Sequence, residues 1–318
     1  MALPKVLCIL GPTGAGKTEA AVVLAQSLGG GVINFDSRQV YRGVPIVTAQ
    51  PAEEEQGGVP HLLYGFLDPC ESMSAGAFIA MAEEAMAGLR PQGLLPILVG
   101  GTGLYLDSLL HGLAEIPTVP SEVREAVQTE CDRLGAARLH ARLAEVDPAY
   151  AARIHPNDRQ RITRALEVHA ATGRTFSEWH RLQQSRSASP RYDALKIGVA
   201  LEMAELEPRL SLRIEGMLAA GALEEMRLAY ARCPDERAPG FTGIGCRELL
   251  DFILGRAGLE EAKSSWLKRT RAYAKRQMTW FRADPDIHWF GPGEFEAMRG
   301  LALPWARGEA GPAGAGRG

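Results

Sequence analysis

Residues 11–18 of the chain read Gly11-Pro12-Thr13-Gly14-Ala15-Gly16-Lys17-Thr18 and match the P-loop pattern G-x-x-x-x-G-K-[ST] at every fixed position. An apolar run, Val6 to Leu10, precedes this stretch, and an Ala/Val-rich run, Glu19 to Leu28, follows it. The order predicts a strand, a phosphate-binding loop and a helix. Such a loop surrounds a phosphate with backbone N–H groups and a helix N-terminus, while the lysine adds a positive charge. An ordinary glycine-rich turn needs neither Lys17 nor the Thr18 hydroxyl. We therefore expect a bound di- or triphosphate, with Thr18 as a ligand of Mg²⁺.

The composition is that of a globular protein with about two domains. The chain has 318 residues, of which 46% are hydrophobic and 23% charged, and domains usually contain about 100–200 residues. No run approaches the roughly 20 apolar residues of a membrane span, and the N-terminal residues do not form a signal-peptide pattern. We therefore expect a cytoplasmic, monomeric protein with no membrane partner.

The cysteines and the net charge bear on three further classes: disulfide-rich, zinc-binding and nucleic-acid-binding proteins. The five cysteines are an odd number, widely spaced, with no C-x-x-C pair: Cys8, Cys70, Cys131, Cys233 and Cys246. They predict neither a disulfide framework nor a zinc site. The formal net charge of −3 argues against a nucleic-acid partner. A total charge hides local clusters, however, and basic residues do cluster in this chain.

Two further apolar runs predict strands that end beside the phosphate loop. Gly31–Phe35 leads into Asp36-Ser37-Arg38-Gln39-Val40-Tyr41, and Leu95–Val99 is the second run. Ligands of open α/β sheets lie beyond the carboxyl ends of the strands, so the polar segment should face the phosphate. Asp36 is therefore a candidate catalytic group. The alternative is that Asp36 or Ser37 only caps a helix.

The Leu95–Val99 run ends in Gly100-Gly101-Thr102-Gly103-Leu104-Tyr105. P-loop proteins that hydrolyse ATP or GTP use an aspartate to hold Mg²⁺ where this strand ends. The absence of that aspartate argues against an ordinary NTPase. A kinase of unusual design remains an alternative.

The predicted fold class is α/β, with a P-loop NTPase-like parallel sheet core and an inserted all-helical domain. From about Glu115 the pattern is helical, with helices at 120–134, 136–146 and 158–172. Asn157 with Gln160, and Thr175 with Glu178, resemble capping boxes. Gln183–Pro190 is predicted as a loop, and Leu195–Leu201 as a strand of the core. We therefore divide the chain into the first part of the core (1–114), a helical insertion (115–190), a return to the core with basic helices (191–305) and a disordered tail (306–318).

The segment Lys263–Arg282 contains seven basic residues and no acidic one. On a helix, Trp266, Tyr273 and Trp280 recur every seven residues on one face. Another face carries basic residues at a 3-4-7 spacing: Lys268, Arg271, Lys275 and Arg282. A solvated charged face is the commoner meaning of such a pattern, but cations without a counter-charge favour a polyanion-binding face.

Six segments together resemble the tRNA dimethylallyltransferases, also called tRNA isopentenyltransferases. The resemblance runs from about Lys5 to Arg282, and the order of the segments is specific to that family. The matching segments are the P-loop, Asp36–Tyr41, Gly100–Tyr105, Arg153–Asp158 with Arg161–Glu167, Gly243–Glu248 and Lys275–Arg282.

The resemblance implies transfer of a dimethylallyl group from dimethylallyl diphosphate to the exocyclic amine of the adenosine just 3′ of a tRNA anticodon. The P-loop, Gly11 to Thr18, would then hold diphosphate, with Lys17 and Mg²⁺ neutralising its charge. The aspartate that matches Asp36 is the proposed base of the family. The anticodon stem-loop would be bound by Asp36, Ser37, Arg38, Gln39, Thr102, Arg124, Gln160, Arg161, Ile162, Thr163 and Arg164.

A further arginine would complete the diphosphate clamp, because a leaving diphosphate needs its charge neutralised. Arg213 is the candidate, and the alternative is a surface arginine on a helix. Two positions depart from the family pattern, which usually has lysine where Gln50 stands and histidine where Leu62 stands. The zinc-finger residues of some eukaryotic members are absent.

Three alternative functions remain open on the sequence. A small-molecule P-loop kinase would bind ATP tightly and would not need the cationic helix. An isopentenyltransferase acting on free adenine nucleotides would share Asp36 and the loop, but the basic clusters at 153–164 and 263–282 favour a macromolecular acceptor. A non-catalytic RNA-binding protein would leave the P-loop unexplained.

Overall fold

The computed structural model describes residues 2–114, 116–186 and 190–309 of the chain. The strands in these ranges form one parallel sheet in the order β3-β2-β4-β1-β5-β6. They are β1 (Lys5–Leu10), β2 (Gly30–Asn34), β3 (His61–Leu62), β4 (Leu95–Val99), β5 (Asp193–Val199) and β6 (Ile287–Phe290). The predicted α/β class with a parallel sheet is confirmed.

Both faces of the central strand are buried. Val6, Cys8 and Leu10 belong to one apolar cluster, and Leu7 and Ile9 to another. A strand between two cores must be apolar at every position, which is why β1 reads as a continuous apolar run instead of an alternating one. β4 pairs with one edge of β1 and β5 with the other.

The described residues of Met1–Leu110 and Tyr192–Gly318 form the first of two compact units. This unit contains the sheet and most of the helices. Its helices are α1 (Lys17–Leu28), α2 (Pro45–Thr48), α3 (Ala75–Leu89), α4 (Gly103–His111), α10 (Met203–Ala219), α11 (Ala222–Arg232), α12 (Cys246–Ile253), α13 (Leu259–Arg282) and α14 (Phe295–Arg307).

The second unit, His111–Arg191, is helical in its described part. It has a core of its own, which includes Val127, Leu143 and Ile162. Its helices are α5 (Ser121–Leu134), α6 (Ala136–Val146), α7 (Pro148–Ala151), α8 (Arg159–Thr172) and α9 (Phe176–Arg186). No helix in the described ranges combines the length and the apolar character needed to cross a membrane.

One predicted capping box is confirmed and the other is wrong. The Thr175 N–H donates to Glu178 Oε2 (2.7 Å), and the Glu178 N–H donates to Thr175 Oγ1 (3.2 Å). α8 is capped by Asp158, which accepts from the Arg161 N–H at 3.1 Å, and not by Asn157. The helix begins at Arg159, so Arg161 is its third residue and Asp158 is the residue in reach.

Two predicted irregular segments are partly helical. α9 continues to Arg186, into the segment predicted as a loop, and residues 187–189 lie outside the described residues. Ala306 and Arg307 end α14 and are not part of a disordered tail. The Trp305 indole N–H donates to Asp193 Oδ1 at 2.9 Å and holds the last turn of this helix against β5. Residues 310–318 lie outside the described residues.

Cys70 and Cys233 form a disulfide, so the prediction of no disulfide is wrong for this pair. The two cysteines are 163 residues apart, a separation at which spacing carries no signal. The disulfide joins the loop after β3 to the end of α11. The Gly240 N–H donates to the Pro69 carbonyl (2.9 Å) beside it. Asp68 lies next to both sulfur atoms, but thiols joined to each other are not available as metal ligands.

We expect Cys70→Ser to lower the free energy of unfolding by about 2–5 kcal/mol, because a cross-link over a long loop restricts the unfolded chain. Cys70 is exposed, so its substitution costs little packing. Urea unfolding with and without dithiothreitol measures the effect. Reductant should destabilise the wild type and leave Cys70→Ser unchanged. A wild-type midpoint that ignores reductant would contradict the cross-link.

Candidate active site

The P-loop joins β1 to α1 at the carboxyl edge of the sheet. Gly16 has a left-handed φ of 92° and caps α1, which begins at Lys17. A Cβ on Gly11 would collide with the carbonyl of Val199 at the end of β5, so only glycine fits there. The Lys17 ammonium donates to the carbonyl of Pro12 at 2.8 Å and thus folds back over its own loop.

Two cations meet above this loop. Burial lowers the pKa of Lys17 to about 8; the Asp36 carboxylate opposes this effect and the Arg213 guanidinium adds to it. Burial also lowers the pKa of Arg213, against the opposing influence of Glu55 and Asp36. Half-buried cations that repel each other are stabilised when an anion binds between them. The site therefore favours a strongly negative ligand.

A cavity of about 510 Å³ lies over the P-loop. Of the predicted diphosphate ligands, Gly11, Pro12 and Ala15 are buried and shape the loop from behind. The remaining ones face the cavity together with charged and polar side chains from other elements. The lining includes Thr13, Gly14, Gly16, Lys17, Thr18, Asp36, Gln39, Glu55, Arg209 and Arg213.

A second cavity of about 400 Å³ adjoins the first and has a different character. The two cavities share Thr13, Asp36, Thr48, Ala49 and Arg213. The rest of the second lining combines apolar side chains, such as Ile214, Met217 and Trp266, with arginines and groups that form hydrogen bonds: Ser37, Arg38, Thr242, Arg269, Thr270, Tyr273 and Arg276. Asp36 and Arg213 thus stand on the wall that both cavities share.

Asp36 is fixed at its backbone and at one carboxylate oxygen. Its N–H donates to Asn34 Oδ1 (2.7 Å), and its Oδ1 accepts from the Arg38 N–H (2.9 Å). No described group donates to Oδ2. No helix begins here, because residues 37–40 form a turn and the next helix starts at Pro45. The helix-cap alternative is therefore wrong, and one oxygen of Asp36 is available to a ligand.

The neighbours of Asp36 are held by the segment after β4. The Ser37 N–H donates to Thr102 Oγ1 at 3.1 Å, and the Tyr273 hydroxyl of α13 lies near Thr102. Burial raises the pKa of the Tyr273 hydroxyl, so it stays neutral. The Arg38 guanidinium donates to Thr242 Oγ1 (2.8 Å). The strand ends therefore converge, as the parallel sheet requires.

Two positioning residues carry little signal in the sequence. Asn34 is fully buried, and its amide donates to the Leu63 carbonyl at 2.9 Å. The sequence indicates this role only in that Asn34 is a polar residue inside the apolar β2 run. Glu225 of α11 accepts from the N–H groups of Ile46 and Val47 at 2.8 and 2.9 Å. It supports α2, which ends at Thr48 and Ala49. Nothing near Glu225 in the sequence indicates this role.

The two departures from the family pattern, Gln50 and Leu62, are not among the residues that line the two cavities. The Gln50 amide donates to the Tyr41 carbonyl at 2.7 Å and to Thr48 Oγ1 at 3.2 Å. Gln50 therefore stabilises the end of α2 at Thr48. Leu62 is half-buried in β3, paired with Ile33 of β2.

The basic helix α13 is less free of counter-charges than its sequence predicts. Acidic residues of other elements pair with four of its cations: Lys263 with Glu215 (2.7 Å), Arg269 with Glu248 (2.5 Å), Arg271 with Glu207 (2.8 Å) and Arg282 with Glu202 (3.9 Å). Lys268 and Lys275 are exposed and form no ion pair with a described residue. The Arg276 guanidinium lies over the Tyr273 ring, 5.7 Å from its centre.

The aromatic face of α13 also differs in part from the prediction. Trp266 is buried at 3% exposure, but Trp280 is 51% exposed. Trp280 lies against Gly103, where any Cβ would collide with the indole.

The remaining predicted tRNA contacts lie in the second unit. Arg124 on α5 and Gln160 and Arg161 on α8 are exposed, and Arg164 is half-buried near Glu167. Ile162 and Thr163 are 0% and 2% exposed. Their side chains pack inside the unit, so the polar surface of α8 comes from their neighbours.

The IPP transferase family model matches residues 39–284 of the chain. A tRNA dimethylallyltransferase of Nitratidesulfovibrio vulgaris (strain Miyazaki F) is 53% identical, over 96% of this chain and 94% of the relative. The crystal structure of a tRNA isopentenylpyrophosphate transferase from Bacillus halodurans matches with a TM-score of 0.71 and 33% identity, over 96% of this chain and 97% of that one. A eukaryotic dimethylallyltransferase acting on tRNA matches with a TM-score of 0.82 and 27% identity, over 96% and 80%.

Proposed function

We propose that this chain, which belongs to the IPP transferase family of tRNA dimethylallyltransferases, takes its prenyl group from dimethylallyl diphosphate and passes it to the exocyclic amine of the adenosine just 3′ of the anticodon. One observation carries the choice of site: Asp36 and Arg213 stand between the P-loop cavity and the second cavity. A diphosphate in the first and a base in the second would meet at this wall. The relatives support tRNA as the acceptor, over a kinase substrate or a free nucleotide.

The first cavity would stabilise the leaving group. Lys17 and Arg213 place two positive charges there, and the loop amides with the α1 N-terminus add partial charge. These groups stabilise the negative charge that develops on diphosphate as the carbon–oxygen bond breaks. An anion bound beside Lys17 would raise its pKa from about 8, so Lys17 would be a full cation in the complex.

Asp36 would act on the acceptor. The lone pair of an adenine amine is delocalised into the ring, so the amine is a weak nucleophile that becomes acidic only as it attacks. The nitrogen forms a bond to the allylic carbon, the carbon–oxygen bond breaks, and its electron pair leaves with diphosphate. The surplus proton of the amine passes to Oδ2 of Asp36, the oxygen that no described group occupies.

Mg²⁺ would fit the first cavity through Thr18. The cavity offers the Thr18 hydroxyl and the Glu55 carboxylate, and Mg²⁺ prefers oxygen ligands and keeps several waters. When bound, the ion would neutralise part of the diphosphate charge. β4 ends without a carboxylate, so the protein supplies fewer ligands than ATP-hydrolysing P-loop proteins do.

The target base would have to leave the anticodon stack to enter the second cavity. Exposed polar groups of the two units would hold the stem-loop meanwhile: Arg124, Gln160 and Arg161 in one, Lys268, Lys275 and Arg276 in the other. Because tRNA is a cytoplasmic substrate, we keep the cytoplasmic location as part of the proposal. The monomeric state stays a prediction.

Incubation with radiolabelled dimethylallyl diphosphate tests the function. Label should enter bulk tRNA, and should enter an anticodon stem-loop that has adenosine 3′ of the anticodon but not one with guanosine there. ATP should be neither hydrolysed nor used to phosphorylate a metabolite. Robust ATP turnover without label in RNA would overturn the proposal.

We expect Asp36→Asn to slow single-turnover transfer by about 10²- to 10⁴-fold, or about 3–5 kcal/mol, because the proton loses its acceptor. Asparagine keeps an oxygen for the Arg38 N–H, so the fold and the affinity for the donor should be preserved. Asp36→Ala is the matched variant, since it also removes that turn bond and should lower the melting temperature. A wild-type transfer rate in Asp36→Asn would show that Asp36 does not accept the proton.

The ion pairs on α13 predict which cations contact tRNA phosphates. Lys268→Ala with Lys275→Ala should flatten the salt dependence of tRNA binding by about 0.7–0.9 per lost contact in a plot of log affinity against log salt. Arg271→Ala is the control, because Glu207 already neutralises this residue at 2.8 Å. Transfer at saturating tRNA should change little. Equal salt slopes in the wild type and all variants would show that Lys268 and Lys275 form a solvated surface and do not bind tRNA phosphates.

A further inference from the structure

The face of α13 that points into the first unit contacts the segment after β4 at three successive residues. Gln277 is hydrogen-bonded to Gly101, Tyr273 lies near Thr102, and Trp280 lies against Gly103. Tyr273, Gln277 and Trp280 are spaced i, i+4, i+7, which places them on one side of the helix. One helix face therefore sets the position of the segment that holds Ser37 and lies beside Asp36.

Gln277 makes two hydrogen bonds that link this segment to the P-loop. Its Oε1 accepts from the Thr13 N–H at 2.9 Å, and its Nε2 donates to the Gly101 carbonyl at 3.0 Å. The side chain is 4% exposed, so water does not replace either bond. A Cβ on Gly101 would collide with this amide, which explains the glycine there.

The first of these bonds uses a P-loop amide that a phosphate would otherwise compete for. Thr13 lines both cavities, and its N–H is directed to Gln277 instead of into them. The amide of Gln277 thus fixes the tip of the phosphate loop at a set distance from Thr102 and Ser37. Under the proposed function, the prenyl donor would bind on the P-loop side and the acceptor base on the side of Thr102 and Ser37.

We propose that Gln277 is a positioning residue that holds the P-loop tip and the Gly101–Thr102 segment in register, so that the prenyl donor and the acceptor base meet correctly. The proposal rests on the proposed function for its rate readout. A misplacement of about 1 Å between reacting groups can cost on the order of 10²-fold in rate. The loss should therefore appear in the transfer step and not in the affinity for either substrate.

Gln277→Met, which keeps the volume and removes both bonds, should transfer about 10- to 100-fold more slowly at saturating substrates. Its affinities for dimethylallyl diphosphate and tRNA should stay within about threefold, and the Thr13 amide should exchange with solvent faster than in the wild type. Gln277→Glu keeps the acceptor for Thr13, so it should retain Thr13 protection and transfer faster than Gln277→Met. If Gln277→Met does not fold, Gln277→Glu tests the proposal by itself. This variant loses the bond to the Gly101 carbonyl, so its transfer rate should be lower than that of the wild type.

Phe281→Leu is the matched control, since Phe281 lies one turn further along α13, is 2% exposed, belongs to the apolar core and has no side-chain hydrogen-bonding group. It should lower the melting temperature and leave the transfer rate within about threefold of wild type. Gln277 variants that match Phe281→Leu in rate, with an unchanged Thr13 amide, would overturn the proposal. A wild type that transfers nothing would refute the proposed function, while Thr13 exchange would still test whether Gln277 anchors the loop.

Discussion

The site depends on the parallel pairing of β2, β4 and β1 as neighbours in the sheet. Parallel strands end at the same edge, so the segments that follow them are brought together although they lie far apart in the chain. The P-loop follows β1, Asp36 follows β2 and Thr102 follows β4. A different strand order would leave each motif intact and separate the phosphate loop from the acid. The chemistry is therefore a property of the sheet as much as of the motifs.

The sequence predicts well whatever is encoded locally. The apolar runs of β1 and β4 and the P-loop are in place because burial and backbone conformation act over a few residues. Asn34, the Cys70–Cys233 disulfide and the acidic partners of α13 escape prediction because each involves residues from distant parts of the chain. The caps show the same limit on a smaller scale. Asp158 caps α8 instead of Asn157, since a shift of one residue in the helix start changes which side chain is in reach.

The charges of α13 show why a cluster of cations is not yet a binding surface. Glu207 and Glu248 come from other helices and pair with Arg271 and Arg269, which leaves Lys268, Lys275 and Arg276 as exposed charges without a described acidic partner. The opposite face of the same helix contacts the β4 end segment. α13 thus combines an outward electrostatic role with an inward geometric one, and the two roles fall on different side chains.

The insertion of the second unit between β4 and β5 has a consequence for the order in which the protein can assemble. As the chain leaves the ribosome, β1 and β4 are made early, but the other edge of β1 stays without its native partner until residues 193–198 are synthesised. His111–Arg191, with its own apolar core, is complete before then. Nascent chains therefore expose one edge of the central strand for a time after the helical unit is complete.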